Sequence, residues 1–285
     1  MLELTKYKSE TRPDWCPGCG DFGVLNALVQ AVANLEIDPK DLFVVSGIGC
    51  SSNLPGFIHA YGFHSLHGRA MPIATGARLA NPDLNVVVTG GDGDGYGIGL
   101  GHFVHAMRRN LDITYIVMNN QVYGLTTGQA SPTSPEGFLT KSTPKGVIEQ
   151  PINPIALALV SGATYVSRGF SGDPKHLTEL IENGMRHKGF ALVDVFSPCV
   201  TWNKIHTYDY FRQKVYKFNG SSYNTGDLNS ALSKSGEWDP KIPIGLFYET
   251  TRPTYEELDP VLSKINPVKS KLGQADPQSL FREFM

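Results

Sequence analysis

Short apolar runs rich in β-branched residues alternate along the chain with longer segments of helical periodicity. Unbroken apolar runs are typical of strands buried on both faces of a parallel sheet. The predicted strands are residues 42–45, 86–89, 113–118, 164–166 and 190–196. The predicted helices are residues 22–35, 71–80, 97–109, 155–160 and 174–186. This alternation predicts an α/β fold, a mainly parallel sheet with helices on both faces.

The regular alternation ends near Trp202. Residues 243–248 are typical of an edge strand, but the remaining chain is polar or aromatic and has little core of its own. We therefore expect three parts: an N-terminal segment (1–20), the α/β domain (21–200) and an irregular C-terminal extension (201–285). The extension is expected to cover a partner surface.

Oxygen-bearing side chains follow two of the predicted strands directly. Asp92 lies in a glycine-rich run after residues 86–89, and Asn120 follows residues 113–118. Magnesium prefers such hard oxygen donors and often binds phosphate oxygens as well. The carbonyl of Val122 can complete the protein ligands, and a helix beginning near Gly97 would direct its N-terminus at an anion. The pattern indicates a magnesium–diphosphate site; the alternative is an ordinary strand–turn–helix with solvated acids.

The chain has 4 cysteines: Cys16, Cys19, Cys50 and Cys199. The first two form a C-x₂-C turn, and the others follow predicted strands, so strand-end loops can bring all four together. Four thiolates suit either a structural zinc or a 4Fe–4S cluster, and the spacing alone favours zinc. The remaining alternative is unliganded cysteines with a chance C-x₂-C.

Composition excludes several classes of protein. The formal net charge of −2 gives no electrostatic basis for binding nucleic acid or an anionic membrane. No apolar run approaches the length of a membrane span, and residues 1–14 are too polar for a signal peptide. A cytoplasmic location is therefore expected.

Six short sequence motifs together resemble those of one protein family. Gly-Asp-Gly at 91–93 and Asn-Asn at 119–120 resemble the thiamine diphosphate fingerprint. Four further motifs are similar to those of the β subunit of 2-oxoacid:ferredoxin oxidoreductases, and the resemblance extends from about Trp15 to about Cys199. These motifs are residues 15–20 (WCPGCG), 47–52 (GIGCSS), 67–70 (HGRA) and 123–126 (YGLT).

The resemblance implies a thiamine diphosphate-binding fold and assigns roles to individual residues. Asp92, Asn120 and Val122 are expected to bind Mg²⁺, and the four cysteines to bind one 4Fe–4S cluster rather than zinc. His67, Asn53 and Leu125 are expected at the reaction centre, with His67 either contacting substrate or diphosphate or supporting them indirectly. The expected cofactor-binding residues are Gly49, Cys50, Ser51, His67, Gly91, Asp92, Gly93, Asp94, Asn120, Val122, Gly124, Leu125 and Thr126.

The implied reaction is the oxidative decarboxylation of a 2-oxo acid with coenzyme A as acyl acceptor and ferredoxin as electron acceptor. Thiamine enzymes also need a Glu at the aminopyrimidine ring, which the family places on a second α/β module. This chain has room for one module. We therefore expect an α subunit, or a fused α–γ subunit, to supply the Glu in an αβ or (αβ)₂ complex.

The substrate is less closely defined by the sequence. Family members acting on 2-oxoglutarate often have Arg or Lys after Cys-Ser-Ser, where this chain has Asn53, and Thr127 replaces a common Lys. The sequence of residues 126–134 still resembles the family members that act on 2-oxoglutarate, which favours that substrate slightly over pyruvate. The competing hypotheses are a thiamine-dependent decarboxylase with structural zinc and a non-catalytic scaffold subunit.

Overall fold

The strands form one sheet whose side chains point alternately into two hydrophobic cores. The protein is described by a computed structural model that covers residues 4–218, 223–270 and 277–282. The strands are β1 (Leu42–Ser46), β2 (Tyr61–His64), β3 (Asn85–Gly91), β4 (Thr114–Asn119), β5 (Tyr165–Phe170), β6 (Ala191–Phe196), β7 (Val215–Lys217) and β8 (Ile242–Glu249). In the described residues they make a single eight-stranded sheet in the order β2-β1-β3-β4-β6-β5-β8-β7.

The predicted parallel sheet is confirmed. Every neighbouring pair of strands is parallel except β5 and β8, which are antiparallel. In β3, Val87 packs into one core while Val86 and Val88 pack into the other. Burial on both faces explains the unbroken apolar run, since each such side chain contributes roughly 1.5–3 kcal/mol when removed from water.

Helices cover both faces of the sheet, as predicted. α1 and α5 pack on one face, represented by Leu28 and Leu177, and α2, α3 and α4 pack on the other, represented by Met71, Phe103 and Ile155. The helices are α1 (Asp21–Asn34), α2 (Ala70–Ala80), α3 (Leu100–Arg109), α4 (Pro154–Val160), α5 (Pro174–Arg186), α6 (Tyr208–Lys214), α7 (Leu228–Ser235), α8 (Tyr255–Leu258) and α9 (Pro277–Arg282).

The helix predicted from residue 97 begins elsewhere. A wide helical turn, Gly93–Ile98, starts directly after Asp92 and is interrupted at Gly97, whose ψ is −109°. The α-helix proper then begins at Leu100. Ile98, inside the predicted helix, is 57% exposed, so the buried face of this helix does not extend to residue 98.

The C-terminal region adds more to the sheet than predicted. β8 is not an edge strand, because it lies between β5 and β7. Phe247 on β8 and Phe211 on α6 are fully buried, so residues after Trp202 do contribute to the cores. The buried strands therefore continue beyond β6 to β8. The predicted boundary at residue 200 separates neither the sheet nor the cores, although the described residues beyond α8 are mostly exposed.

The chain between Gly124 and Pro151 forms no helix and no strand longer than an isolated bridge, which joins Tyr123 to Gln129. It lies across the carboxyl ends of the strands, where Thr133 and Ser131 contact Asp92. Across the ranges that the structure describes, none of the helices has the length and apolarity needed to cross a membrane.

Candidate active site

A small cavity of about 80 Å³ opens at the carboxyl ends of β1, β3 and β4. Ligands bind at this edge in open α/β sheets. All thirteen residues expected to bind the cofactor line this cavity, and so do Ile48 and Tyr123, which the sequence analysis did not single out. The structure thus brings the loop after β1, the glycine-rich turn after β3, the segment after β4 and His67 to one place.

The two carboxylate oxygens of Asp92 have different environments. Oδ2 accepts hydrogen bonds from Ser131 Oγ at 2.5 Å and Thr133 Oγ1 at 2.6 Å. No described side chain donates to Oδ1, which remains available to a cation. The residue is 1% exposed, and burial raises the pKa of its carboxyl to about 6, against the lowering effect of the two hydroxyl donors. A bound divalent cation would compensate this buried charge.

Asp94 joins separate loops instead of facing the cavity freely. Its Oδ1 accepts hydrogen bonds from the backbone N–H of Ile48 at 2.9 Å and of Gly68 at 2.7 Å. The same oxygen lies 2.8 Å from His67 Nδ1. This arrangement fixes the ring of His67 and leaves its Nε2 for a ligand in the cavity.

The segment after β4 is held in a tight turn that keeps Asn120 and Val122 together. Asn120 Oδ1 accepts a hydrogen bond from Val122 N at 3.1 Å, and the intervening Gln121 has a left-handed φ of 58°. Asn203 Nδ2 donates to the Asn120 carbonyl at 3.0 Å. The amide oxygen of Asn120 therefore has one remaining lone pair for a cation.

The four cysteine thiols are free, and Cys50 also lines this cavity. A Cβ placed on Gly124 would lie 3.5 Å from Cys50 Sγ and 3.6 Å from Cys199 Sγ. Burial, the Asp21 carboxylate and the Cys199 and Cys16 thiols raise the pKa of the Cys50 thiol to about 12. Burial, Asp21 and the Cys199 and Cys50 thiols raise the pKa of Cys19 further above its usual value. The Cys50 thiol thus lies within electrostatic range of each of the other three.

Comparison with known proteins identifies the family. Residues 47–195 match the thiamine pyrophosphate enzyme C-terminal TPP-binding domain, and residues 199–264 match the C-terminal region of the pyruvate ferredoxin oxidoreductase beta subunit. The beta subunit of 2-oxoacid:ferredoxin oxidoreductase of Saccharolobus solfataricus is 52% identical over 257 residues, which cover 86% of this chain and 84% of the relative. This chain belongs to the family of 2-oxoacid:ferredoxin oxidoreductase beta subunits.

A further relative and a solved structure agree with this family assignment. The 2-oxoglutarate synthase subunit KorB of Methanocaldococcus jannaschii is 40% identical over 260 residues, which cover 90% of this chain and 96% of the relative. A solved structure of 2-oxoglutarate:ferredoxin oxidoreductase from Magnetococcus marinus, with 2-oxoglutarate, coenzyme A and succinyl-CoA bound, matches with a TM-score of 0.91 at 44% identity. The match covers 99% of this chain and 96% of that chain.

As a beta subunit of this family, the chain is part of a multi-subunit oxidoreductase and contains a thiamine diphosphate-binding domain. The cavity fits the diphosphate end of that cofactor. Ser51 Oγ is buried at its wall without a hydrogen-bond partner, and a Cβ on Gly91 would meet nothing nearer than the same oxygen at 3.4 Å. A phosphate oxygen can reach the backbone there and satisfy the serine hydroxyl.

The spacing of the four cysteine side chains limits which metal group they can hold. Among the described residues, no three His, Cys, Asp or Glu side chains surround one point closely enough to hold a metal ion. Tetrahedral zinc with Zn–S bonds of about 2.3 Å needs sulfurs only ~3.8 Å apart. A 4Fe–4S cluster binds each thiolate at a different iron and therefore accepts a more open arrangement.

One expected site residue of this beta subunit lies outside the cavity. The Asn53 side chain is exposed, and its Nδ2 donates to the Asp14 carboxylate at 3.0 and 3.3 Å. Asn53 does not line the cavity, in contrast to His67 and Leu125. Its expected role at the distal end of the substrate therefore stays a prediction.

Sequence reasoning missed the two hydroxyl donors to Asp92. Ser131 and Thr133 lie about forty residues after it, in a connection without regular structure. The available signal was the unusual density of hydroxyl residues in Ser131–Ser134, all of which would be costly to bury without a partner. A long polar connection over a predicted ligand site is itself an indication that it supplies contacts.

Proposed function

We propose that this beta subunit holds thiamine diphosphate through Mg²⁺ and carries one 4Fe–4S cluster, and that it catalyses CoA-dependent oxidative decarboxylation of a 2-oxo acid with ferredoxin as electron acceptor. One observation supports this proposal above others. Gly124 lines the cofactor cavity and also lies against the Cys50 and Cys199 thiols. A cluster on these thiols would adjoin the reacting end of the site.

In this proposal Asp92 Oδ1, the Asn120 amide oxygen and the Val122 carbonyl bind Mg²⁺. Three protein oxygens leave positions for diphosphate oxygens in an octahedral shell. Gly91, Gly93 and Ser51 receive the diphosphate. The support is the buried, half-satisfied carboxylate of Asp92 and the unpartnered hydroxyl of Ser51.

Thiamine diphosphate, when bound, supplies the addition and carbanion chemistry at the 2-oxo carbon, and the cluster supplies a one-electron acceptor. His67, with Nδ1 on Asp94, presents Nε2 to an oxygen of the substrate or the diphosphate. Leu125 and Tyr123 contribute apolar surface to the cavity wall. Coenzyme A then accepts the acyl group, and the reaction is reversible in principle.

We further propose that an α subunit, or a fused α–γ subunit, completes the site in an αβ or (αβ)₂ complex. It would supply the Glu that activates the cofactor. The supporting observation is that Leu66, Ile98 and Leu125, near the cavity, are more than half exposed. A cytoplasmic location accords with the four free cysteines.

The test is 2-oxoacid-dependent reduction of ferredoxin or a viologen dye by the chain co-expressed with its partner, compared with the chain alone. Asp92→Ala should lose thiamine diphosphate and activity, whereas Cys199→Ser should lose the cluster and electron transfer but retain the cofactor. Turnover by the chain alone at the rate of the complex would contradict the shared site. Full cofactor content in Asp92→Ala would contradict the magnesium assignment.

For the substrate we propose 2-oxoglutarate ahead of pyruvate. The Magnetococcus marinus structure contains 2-oxoglutarate, and several relatives are named for it. Asn53→Arg should raise the ratio of kcat/KM for 2-oxoglutarate over pyruvate by about ten- to a hundred-fold, because a charge-assisted hydrogen bond contributes about 1.5–3 kcal/mol. Asn53→Arg combined with Asp14→Asn controls for capture of the new cation by Asp14. An unchanged ratio in both variants would place residue 53 outside the pocket.

A further inference from the structure

A second cavity, of about 200 Å³, lies at the carboxyl ends of β4, β5 and β6. It shares a wall with the cofactor cavity: Asn119 and Gln121 line the second cavity, and Asn120 and Val122 line the first. Its other walls are mostly apolar and include Pro151, Ile152, Phe196 and Trp238. None of the roles proposed above uses this space.

The wall of this cavity contains an Arg with almost no hydrogen bonds. Arg168 is 1% exposed, and a guanidinium has five N–H donors. In the part of the chain that the structure describes, its only hydrogen bond is from Nε to Asp194 Oδ2, at the long distance of 3.4 Å. Nη1 is buried without a partner. A buried guanidinium normally has its donors paired, so the unpartnered Nη1 indicates a missing acceptor.

Asp194 contacts the guanidinium only at Nε, and its other oxygen has other partners. Its Oδ1 accepts from Tyr96 OH at 3.0 Å and from Asn119 Nδ2 at 3.1 Å. The guanidinium carbon of Arg168 lies 5.2 Å from the ring centre of Phe196 and 5.8 Å from that of Trp238. Aromatic rings thus pack around the planar cation while Nη1 has no partner.

We propose that this cavity is a binding site for a small planar oxyanion of the carboxylate type, held by the Nη edge of Arg168. Carboxylates match the fork of a guanidinium with two parallel hydrogen bonds. The volume allows roughly half a dozen non-hydrogen atoms, if each takes about the 30 Å³ of a liquid water. Bicarbonate and short monocarboxylates share this chemistry and this size.

Occupancy of this site is connected to the magnesium ligands by hydrogen bonds. Asn119 Nδ2 contacts Asp194, and Asn119 Oδ1 lies 3.0 Å from Thr133 Oγ1. The single proton of Thr133 Oγ1 is donated either to Asp92 Oδ2 or to Asn119 Oδ1. Asn119 and Thr133 therefore lie between the Arg168–Asp194 pair and Asp92.

The experiment is equilibrium dialysis of the purified complex against ¹⁴C-acetate and, separately, ¹⁴C-bicarbonate in a sulfonate buffer. The blocking variant is Gly236→Leu. Gly236 lines the cavity with a helical φ of −80°, and a Cβ there meets nothing nearer than 3.5 Å. The matched control is Gly101→Leu, at an open position on α3 outside the cavity.

We expect the wild type and Gly101→Leu to bind one more equivalent of probe than Gly236→Leu. Carboxylates bound at the substrate site are the same in all three proteins and cancel. Arg168→Gln combined with Asp194→Asn removes both charges together and should also lose that equivalent; cofactor content and unfolding temperature check its folding. Saturation by acetate alone identifies a monocarboxylate site, and saturation by bicarbonate alone identifies a site for hydrated carbon dioxide. Equal stoichiometry in wild type and Gly236→Leu would overturn the proposal.

Discussion

At the residue scale, the orientation of Asp92 depends on side chains far away in the sequence. Ser131 and Thr133 both donate to Oδ2, which leaves Oδ1 for the proposed Mg²⁺. A carboxylate held at one oxygen loses little further freedom when it binds a cation. Supporting contacts of this kind commonly contribute 10- to 100-fold in metal affinity.

Thr133→Val should therefore weaken Mg²⁺-dependent binding of thiamine diphosphate by about 10- to 100-fold, since it removes one donor while keeping the shape of the side chain. The measurement is a magnesium titration of cofactor binding by calorimetry. Thr140→Val is the matched control, because Thr140 Oγ1 contacts only its own loop, at Ser142 and Thr143. Equal affinity in the two variants would show that Thr133 does not orient Asp92.

A second residue-scale prediction concerns pH. Burial lowers the pKa of His206 to about 4, and its Nδ1 has no partner. The unfolded chain, with a pKa near 6.5, then binds more protons than the folded chain between about pH 6.5 and 4, so stability falls as pH decreases through this window. By pH 5 the loss is about 2 kcal/mol.

His206→Phe should remove this part of the pH dependence while keeping an aromatic side chain beside Tyr210 and Phe211. The free energy of unfolding in urea, measured at pH 8 and pH 5, should fall less in the variant by about 2 kcal/mol. An equal decrease in both proteins would show that the imidazole is protonated in the folded state.

At the scale of elements, the site depends on hydrogen bonds between the loops that follow the strands. Asp94 lies in the helical turn after β3 and holds both the loop after β1 and the loop before α2. Gly47 lies so close to Asp94 that an added Cβ would collide with the carboxylate. The glycine at this position permits the contact on which three loops depend.

Gly47→Ala should displace Asp94, release Ile48 and Gly68, and abolish detectable thiamine diphosphate binding while the sheet remains folded. Gly76→Ala on α2 is the control, because a Cβ there meets no atom within 4 Å, and Ala is favoured over Gly inside a helix. The measurements are cofactor content and far-ultraviolet circular dichroism. Full cofactor content in Gly47→Ala would contradict the structural role of Asp94.

Elements with a local signal could be predicted and elements made by distant pairing could not. β3, β4 and β6 are continuous apolar runs and α5 has amphipathic periodicity, so the sequence located them. β2 is an exposed edge strand with no alternation to detect. β8 contains Pro243, which suggested an edge, but the ladder to β5 begins only at Gly245, so the proline leaves that pairing intact.

In the candidate site, too, residues with a local sequence signal could be predicted and residues brought together by folding could not. Glycine, Asp and Asn at strand ends have fixed local roles, and the resemblance to a family placed them at one cavity. Ser131, Thr133 and the Arg168–Asp194 pair come together only through folding, because the contacts join residues separated by 26 to 41 positions. Nothing in the neighbouring sequence marks such pairs.

At the scale of the whole molecule, the exposed apolar side chains near the cofactor cavity indicate how the complex forms. Leu66 is 75% exposed beside His67, and Ile98 is 57% exposed next to Gly68. We expect the partner subunit to cover them in an obligate interface of roughly 2,000 Å² or more. The β8–β7 edge lies at the other end of the sheet.

Leu66→Asp should weaken assembly with the partner, because a charge would be buried in the interface without a counter-ion. The measurement is the fraction of chain recovered in the complex by size-exclusion chromatography after co-expression. Val160→Asp is the control: Val160 is 69% exposed at the end of α4, before the amino end of β5. Equal recovery of both variants would place the interface elsewhere.

We propose that this one chain holds both thiamine diphosphate, which supplies the carbon chemistry, and the first electron acceptor. The decisive experiment is anaerobic purification of the complex, with iron, zinc, sulfide and thiamine diphosphate counted in the wild type and in Cys199→Ser. We expect about four iron and four sulfide bound by this chain in the wild type, together with thiamine diphosphate and a broad brown absorbance. In Cys199→Ser we expect loss of that iron with the cofactor retained. Stoichiometric zinc at the four cysteines, or iron content unchanged by the substitution, would contradict the cluster assignment.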